Sequence, residues 1–144
     1  LFTATRGNGA QLNGYRIRVG KAEEMAGTVR ATGFPCKQKQ HIEPDLEMFQ
    51  SMFIECADIR RAGAPALDLA YVAAGRIDGY WEIGLKPWET AAGELLAKEA
   101  GAIVTDFVGG HNYENSGNIV VANPRVLKEM LGKIRENLPD SLAK

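Results

Sequence analysis

Four helical patterns in this chain carry a proline in their first turn, at Pro44, Pro65, Pro87 and Pro124. Proline suits that place because its missing N–H would have no intrahelical partner there anyway. Two of the patterns stop at Gly75 and Gly101, where a residue just past a helix end must take positive φ. From Asp58 onward, strand-like runs precede these helices. Such alternation predicts an α/β layer: a parallel or mixed sheet with helices packed on its faces.

The rest of the chain fits around that frame. Residues 1–19 read as β structure, with turns at Gly7-Asn8-Gly9 and Asn13-Gly14. Strands are expected over Thr28–Phe34, Asp58–Ala62, Ile77–Ile83, Ala102–Phe107 and Asn118–Ala122. The helix opened by Glu43-Pro44-Asp45 has an apolar stripe of Leu46, Phe49, Met52, Phe53 and Cys56. In the next helix Leu67, Ala70, Tyr71 and Ala74 are placed to face a sheet. In the third, Trp88, Ala91, Ala92, Leu95, Leu96 and Ala100 recur at helical spacing, and Ala91, Ala92 and Gly93 permit close packing on a sheet. Asn123 caps a last helix with Val126, Leu127, Met130, Leu131 and Ile134 inward. The reading divides the chain into residues 1–27, a remnant of an upstream β-sheet, and 28–144, an α/β domain. Leu1 falls in mid-strand, so the chain is read as one half of a longer protein.

Chemistry concentrates in Tyr80–Gly101. A strand ends in the carboxylate Glu82, a corner follows, and a helix carries Glu89 in its first turn. Glu89 there suits the positive end of the helix dipole whether or not it has a further role. Gly63-Ala64-Pro65 makes a second strand-to-helix corner. If the two strands run the same way, both corners open on one rim, where α/β sheets bind ligands. Acids beside free helix N–H groups suit a divalent cation and a phosphate. Arg60-Arg61 could grip a phosphate or close a strand-end salt bridge, and Lys86 could face an anion or only solvent. His41 and His111 are isolated, and no phosphate-binding glycine loop or serine-hydrolase elbow is present. The glycines at 7 and 9 are followed by no helix pattern, which rejects a dinucleotide fingerprint.

Net charge is −1 and pI about 6.2, which argues against broad electrostatic binding to nucleic acid. Cys36 and Cys56 lack metal-site spacing and read as reduced packing thiols of a cytoplasmic protein. No apolar run is long enough to span a membrane.

The run Trp88-Glu89-Thr90-Ala91-Ala92-Gly93, followed by Glu99-Ala100-Gly101, resembles the C-terminal signature of the inositol monophosphatase family, W-D-x-A-A-G then E-A-G-G. The segments LFTATRGNGAQLNG, ATGFP, ALDLAYVAAGRIDGYWEIGL, DFVGGHNY and GNIVVANPRV extend the likeness over nearly the whole chain, most closely to the bacterial SuhB type. The resemblance implies the C-terminal half of that sugar-phosphatase fold and a Mg²⁺-dependent phosphomonoesterase acting on inositol monophosphate or a related sugar phosphate. It implies that Glu89 stands at a metal-binding position, and that Glu82 hydrogen-bonds inositol hydroxyls. It further implies that Gly63, Ala64 and Pro65 meet substrate through the backbone, and that Lys86 lies near the substrate. Members are commonly dimers. The SuhB type also implies an alternative: a non-catalytic role with Nus factors and RNA polymerase in transcription antitermination. Three departures stand out. The family's acidic D-P-L-D-G-T motif is absent from these residues. Glu89 replaces Asp, which moves the carboxylate by about 1.5 Å. Pro65 replaces a residue whose N–H faces substrate, and proline has none.

Overall fold

A computed structural model describes residues 1–35 and 37–143. Cys36, one of the two thiols named above, lies outside the described residues. Strands β1 (Phe2–Ala4), β2 (Ala10–Leu12) and β3 (Tyr15–Arg16) form a small antiparallel sheet. Strands β4 (Val29–Thr32), β5 (Asp58–Arg60), β6 (Gly79–Glu82), β7 (Ile103–Thr105) and β8 (Ile119–Ala122) form a second sheet in the order β5-β4-β6-β8-β7. β4 pairs parallel with β5 and β6, while β8 runs against β6 and β7. The sheet is therefore mixed, and β4, β5, β6 and β7 all end on one rim.

The helices are α1 (Ile42–Glu55), α2 (Pro65–Ala73), α3 (Pro87–Glu99), α4 (Tyr113–Ser116) and α5 (Pro124–Glu136). Pro65, Pro87 and Pro124 each occupy the first helical position, and Gly75 and Gly101 take φ of +73° and +99° past the ends of α2 and α3. Short α4 and the 3-10 turns at Lys39–His41 and Asp140–Leu142 carry too little periodicity to be read from the sequence.

Alternation along β6 and β8 divides the core. Trp81 and Val120 point toward α1 and α5, where Met48, Met52, Met130 and Ile134 meet them. Tyr80 and Val121 point the other way, onto Leu69 and Val72 of α2 and Ala97 of α3. Beyond α2 and α3 the small sheet closes over Ala70, Ala73, Leu96 and Ala100. The two helices are thus enclosed between sheets.

That enclosure corrects the helix faces read from spacing. In α3 the buried residues are Thr90, Gly93, Leu96 and Ala97; Trp88, Ala91 and Ala92 are exposed. The close approach belongs to Gly93 alone, and it is to a helix: a Cβ there would lie 2.5 Å from Leu69 Cβ. In α2 Leu67 is exposed, and Leu69, Val72 and Ala73 join Ala70 inside. In α1 Leu46 and Phe53 are half exposed, while Met48 joins Met52 in the core. Phe53 belongs instead to a surface row with Phe49 and Phe34, ring centroids 5.9 Å apart at each step.

Two charged side chains are buried on the α1 side. Arg30 donates to Thr28 Oγ1 at 3.0 Å and leaves its Nε unpaired. Asp45 is 1% exposed, and neither carboxylate oxygen has a well-formed hydrogen bond. Burial raises its pKa to about 6, opposed by the Trp81 indole N–H that faces it. Because this value lies above that of an unfolded aspartate, the folded chain holds the extra proton between about pH 4 and 6, and stability falls as pH rises through that window. Asp45→Asn is expected to remove that slope and to add about 1 kcal/mol at pH 8. Urea unfolding at pH 4 and pH 8 measures it; equal slopes in both proteins would rule out the buried acid as the cause.

Candidate active site

The carboxyl rim of the large sheet supplies the site. β6 delivers Glu82 to it, and the carboxylate lies across Gly33 at the end of β4, in space that any Cβ at Gly33 would occupy. The fully buried Tyr80 donates its hydroxyl to Glu82 Oε1 at 2.8 Å. Burial chiefly raises the Glu82 pKa to about 7, with the charges of Asp68 and Glu89 adding to it; the Tyr80 hydrogen bond and Arg61 pull it down. Its carboxyl group is thus held well above the ordinary carboxylate range.

After Glu82 the chain turns at Gly84, φ +76°, whose N–H donates to Asn118 Oδ1 at 3.2 Å. β8 begins at this rim because it runs against its neighbours, and so brings Asn118 here. Lys86 then caps α3. Glu89 folds back so that its Oε2 accepts from the Lys86 N–H at 2.8 Å, one half of a capping box. Glu89 also lines the cleft that opens here.

Phe34, Arg61, Glu82, Lys86, Trp88 and Glu89 surround a cleft of about 320 Å³. The structure therefore brings Glu82, Lys86 and Glu89 together. Gly63, Ala64 and Pro65 do not line it. They follow β5, the edge strand, and β4 stands between that strand and β6. What enters the cleft from that corner is Arg61, which the sequence left open between phosphate grip and salt bridge. Its neighbour Arg60 makes the strand-end bridge, to Asp58 at 3.4 Å. Phe34 carried no signal of a site role.

Among the described residues no group of three or more His, Cys, Asp or Glu side chains is placed to hold a metal. Mg²⁺ commonly takes only one or two protein carboxylates and fills its shell with water and phosphate oxygens. Glu89, lining a cleft with a second acid, fits one such contribution and not a whole site. No helix among the described residues is long and apolar enough to cross a membrane.

Comparison with known proteins agrees with this architecture. Residues 1–140 match the model of the inositol monophosphatase family. The Nus factor SuhB of Escherichia coli K12 is 61% identical over 142 residues, covering 99% of this chain and 53% of that protein. The Nus factor SuhB of Vibrio cholerae is 61% identical over 137 residues, covering 95% and 51%. The chain thus spans about half the length of the curated relatives it matches. Among solved structures, the extragenic suppressor protein suhB from Bartonella henselae superposes with TM-score 0.91 at 39% identity, over 95% of this chain and 52% of that one. An inositol monophosphatase from Anabaena (Nostoc) gives 0.89 at 33% identity, over 97% and 58%. The mixed sheet with its enclosed helices is theirs as well, and the chain belongs to the inositol monophosphatase family.

Proposed function

We propose that this chain supplies the substrate-facing half of a Mg²⁺-dependent phosphomonoesterase acting on inositol monophosphate or a related sugar phosphate. The observation that carries the reading is the meeting of Glu82, Lys86 and Glu89 in one cleft on the sheet's carboxyl rim. In this reading Glu82 hydrogen-bonds ring hydroxyls, and Lys86 and Arg61 offset the phosphate charge. Glu89 gives one carboxylate oxygen to the metal. When bound, Mg²⁺ supplies Lewis-acid polarisation of a phosphoryl oxygen. The remaining ligands are assigned to the half of the protein upstream of these residues, with the boundary between the two domains at residue 27. Gly63, Ala64 and Pro65 are assigned backbone contacts to the substrate, made from outside the cleft that Glu82, Lys86 and Glu89 line. A homodimer in the cytoplasm is part of the same proposal.

The test is hydrolysis of inositol 1-phosphate by the full-length protein with and without Mg²⁺. Glu89→Ala is expected to lower kcat about 100-fold, the scale on which removing one charge-stabilising group acts. Glu89→Asp is expected to retain or raise the rate. An Ala variant as fast as the parent would remove Glu89 from the metal.

A second reading has its own support in the name Nus factor carried by the 61% identical relatives. In it the protein binds Nus factors and RNA polymerase in transcription antitermination, without needing turnover. Retention of purified Nus factors or polymerase on immobilised full-length protein tests it, and Glu89→Ala would leave retention unchanged.

A further inference from the structure

Tyr80 buries an oxygen where the core has no need of one. Its ring is fully buried and belongs to the apolar cluster with Leu69, Val72, Ala97 and Val121. A phenylalanine would fill that space without a hydroxyl, and a buried hydroxyl is costly unless it finds a partner. The partner it finds is two residues on along β6: the hydroxyl donates to Glu82 Oε1 at 2.8 Å. Side chains two apart on a strand project from one face, so the strand itself lines up donor and acid. Burial and the nearby Glu82 charge push the phenol far above its ordinary range, so Tyr80 keeps its proton and stays a donor.

The rest of the seat holds Glu82 from other sides. Thr32, at the end of β4, donates its hydroxyl to the Trp81 carbonyl at 2.8 Å, which ties down the backbone just before Glu82. Gly33 follows Thr32 and leaves open the space that the carboxylate fills. The other charged groups that act on the acid are Asp68 from α2, Glu89 from α3 and Arg61 beyond β5, and Lys86 lines the same cleft. Were Glu82 to swing into another rotamer, the Tyr80 hydroxyl would stay buried with its acceptor gone, which costs the full desolvation of that donor. The penalty favours the orientation in which the acid lines the cleft.

We propose that Tyr80 is a positioning residue that sets specificity: its hydroxyl fixes the Glu82 carboxylate in the cleft, so that the protein prefers phosphate esters of polyols to esters whose alcohol carries no further hydroxyl. That Glu82 meets an ester's hydroxyls rests on the phosphatase reading; the Tyr80–Glu82 hold does not. A carboxylate fixed before the ligand arrives loses less freedom on binding. An ester with no hydroxyl to offer gains nothing from that order, and this separates selectivity from general packing.

The experiment uses the full-length protein with inositol 1-phosphate and with 4-nitrophenyl phosphate, whose ring carries no hydroxyl. Tyr80→Phe keeps the ring in the core and removes only the oxygen. It should lower the ratio of kcat/KM for the first ester to that for the second about tenfold, the scale of a hydrogen bond to a charged group. Packing damage would slow both esters alike, and an unchanged ratio overturns the specificity role. With Glu82→Ala already present, Tyr80→Phe should move the ratio no further; a further loss there would overturn the route through Glu82. A second readout needs no turnover. In protein carrying ¹³C-labelled glutamate, Tyr80→Phe should raise the pH at which Glu82 titrates, because the hydrogen bond favours the charged carboxylate. An unmoved titration overturns the hold itself. Should the parent hydrolyse neither ester, the phosphatase reading falls and the titration alone decides the hold. If Tyr80→Phe does not fold, Glu82→Ala decides: an unchanged ratio overturns the proposal, and a lowered one supports it.

Discussion

Gly93→Val is expected to lower the thermal midpoint of the protein by about 10 °C, from an overpacking cost of about 3 kcal/mol. The cause is geometric. α3 crosses α2 so closely at Gly93 that an added Cβ would stand 2.5 Å from Leu69 Cβ and 2.7 Å from its Cδ1. The terminal methyl can swing aside, but Leu69 Cβ is fixed to its own backbone, and both helices are held between sheets. Gly93→Ala is therefore also expected to destabilise, although alanine in a helix normally gains about 1 kcal/mol over glycine. Adding Leu69→Ala should recover little, because the Cβ that causes the overlap remains. Differential scanning fluorimetry of the three variants checks this; a Gly93→Ala protein more stable than the parent would show that the helices can part.

The second large effect is on turnover. On the phosphatase reading proposed above, Gly33→Val in the full-length protein should lower hydrolysis of inositol 1-phosphate by about 100-fold, since displacing an orienting group by an ångström costs on that order. The Glu82 carboxylate occupies the space that a side chain at position 33 needs. Its displacement also takes the acceptor from the buried Tyr80 hydroxyl. A double-mutant cycle separates this from general damage: with Glu82→Ala already present, Gly33→Ala should cost almost nothing in stability or rate. A full cost in that background would place the fault in the β4 backbone rather than in the seat of the acid.

Much of this architecture was legible because it is local. Proline at a helix start and glycine at its end depend on a few neighbouring atoms, so Pro65, Pro87, Pro124, Gly75 and Gly101 stood where they were expected. The faces of α2 and α3 were not legible. A helix covered by sheets on opposite sides hides small residues as readily as large ones, and spacing alone gives Trp88 to the interior although it is 80% exposed. The site was half legible. Glu82, Lys86 and Glu89 lie within one strand-turn-helix and converge by local geometry. Arg61 reaches the cleft from an edge strand that is two places from β6 in the sheet, and that order is set by long-range pairing. Burial of Asp45, Asp68 and Arg30 likewise depends on what packs over them from elsewhere in the chain.

β8 is buried at all four positions, so a slip by one residue would find an apolar side chain for either face and meet little hydrophobic penalty. Its alignment has to be pinned by other means, and the asparagines that bracket the strand do this. Asn118 accepts the Gly84 N–H at one end. Asn123 at the other accepts from the Val126 N–H and donates to the carbonyls of Gly20 and Ala22, at 2.9 Å each. Two amide side chains thus act as bookends for a strand whose own residues cannot tell one alignment from the next.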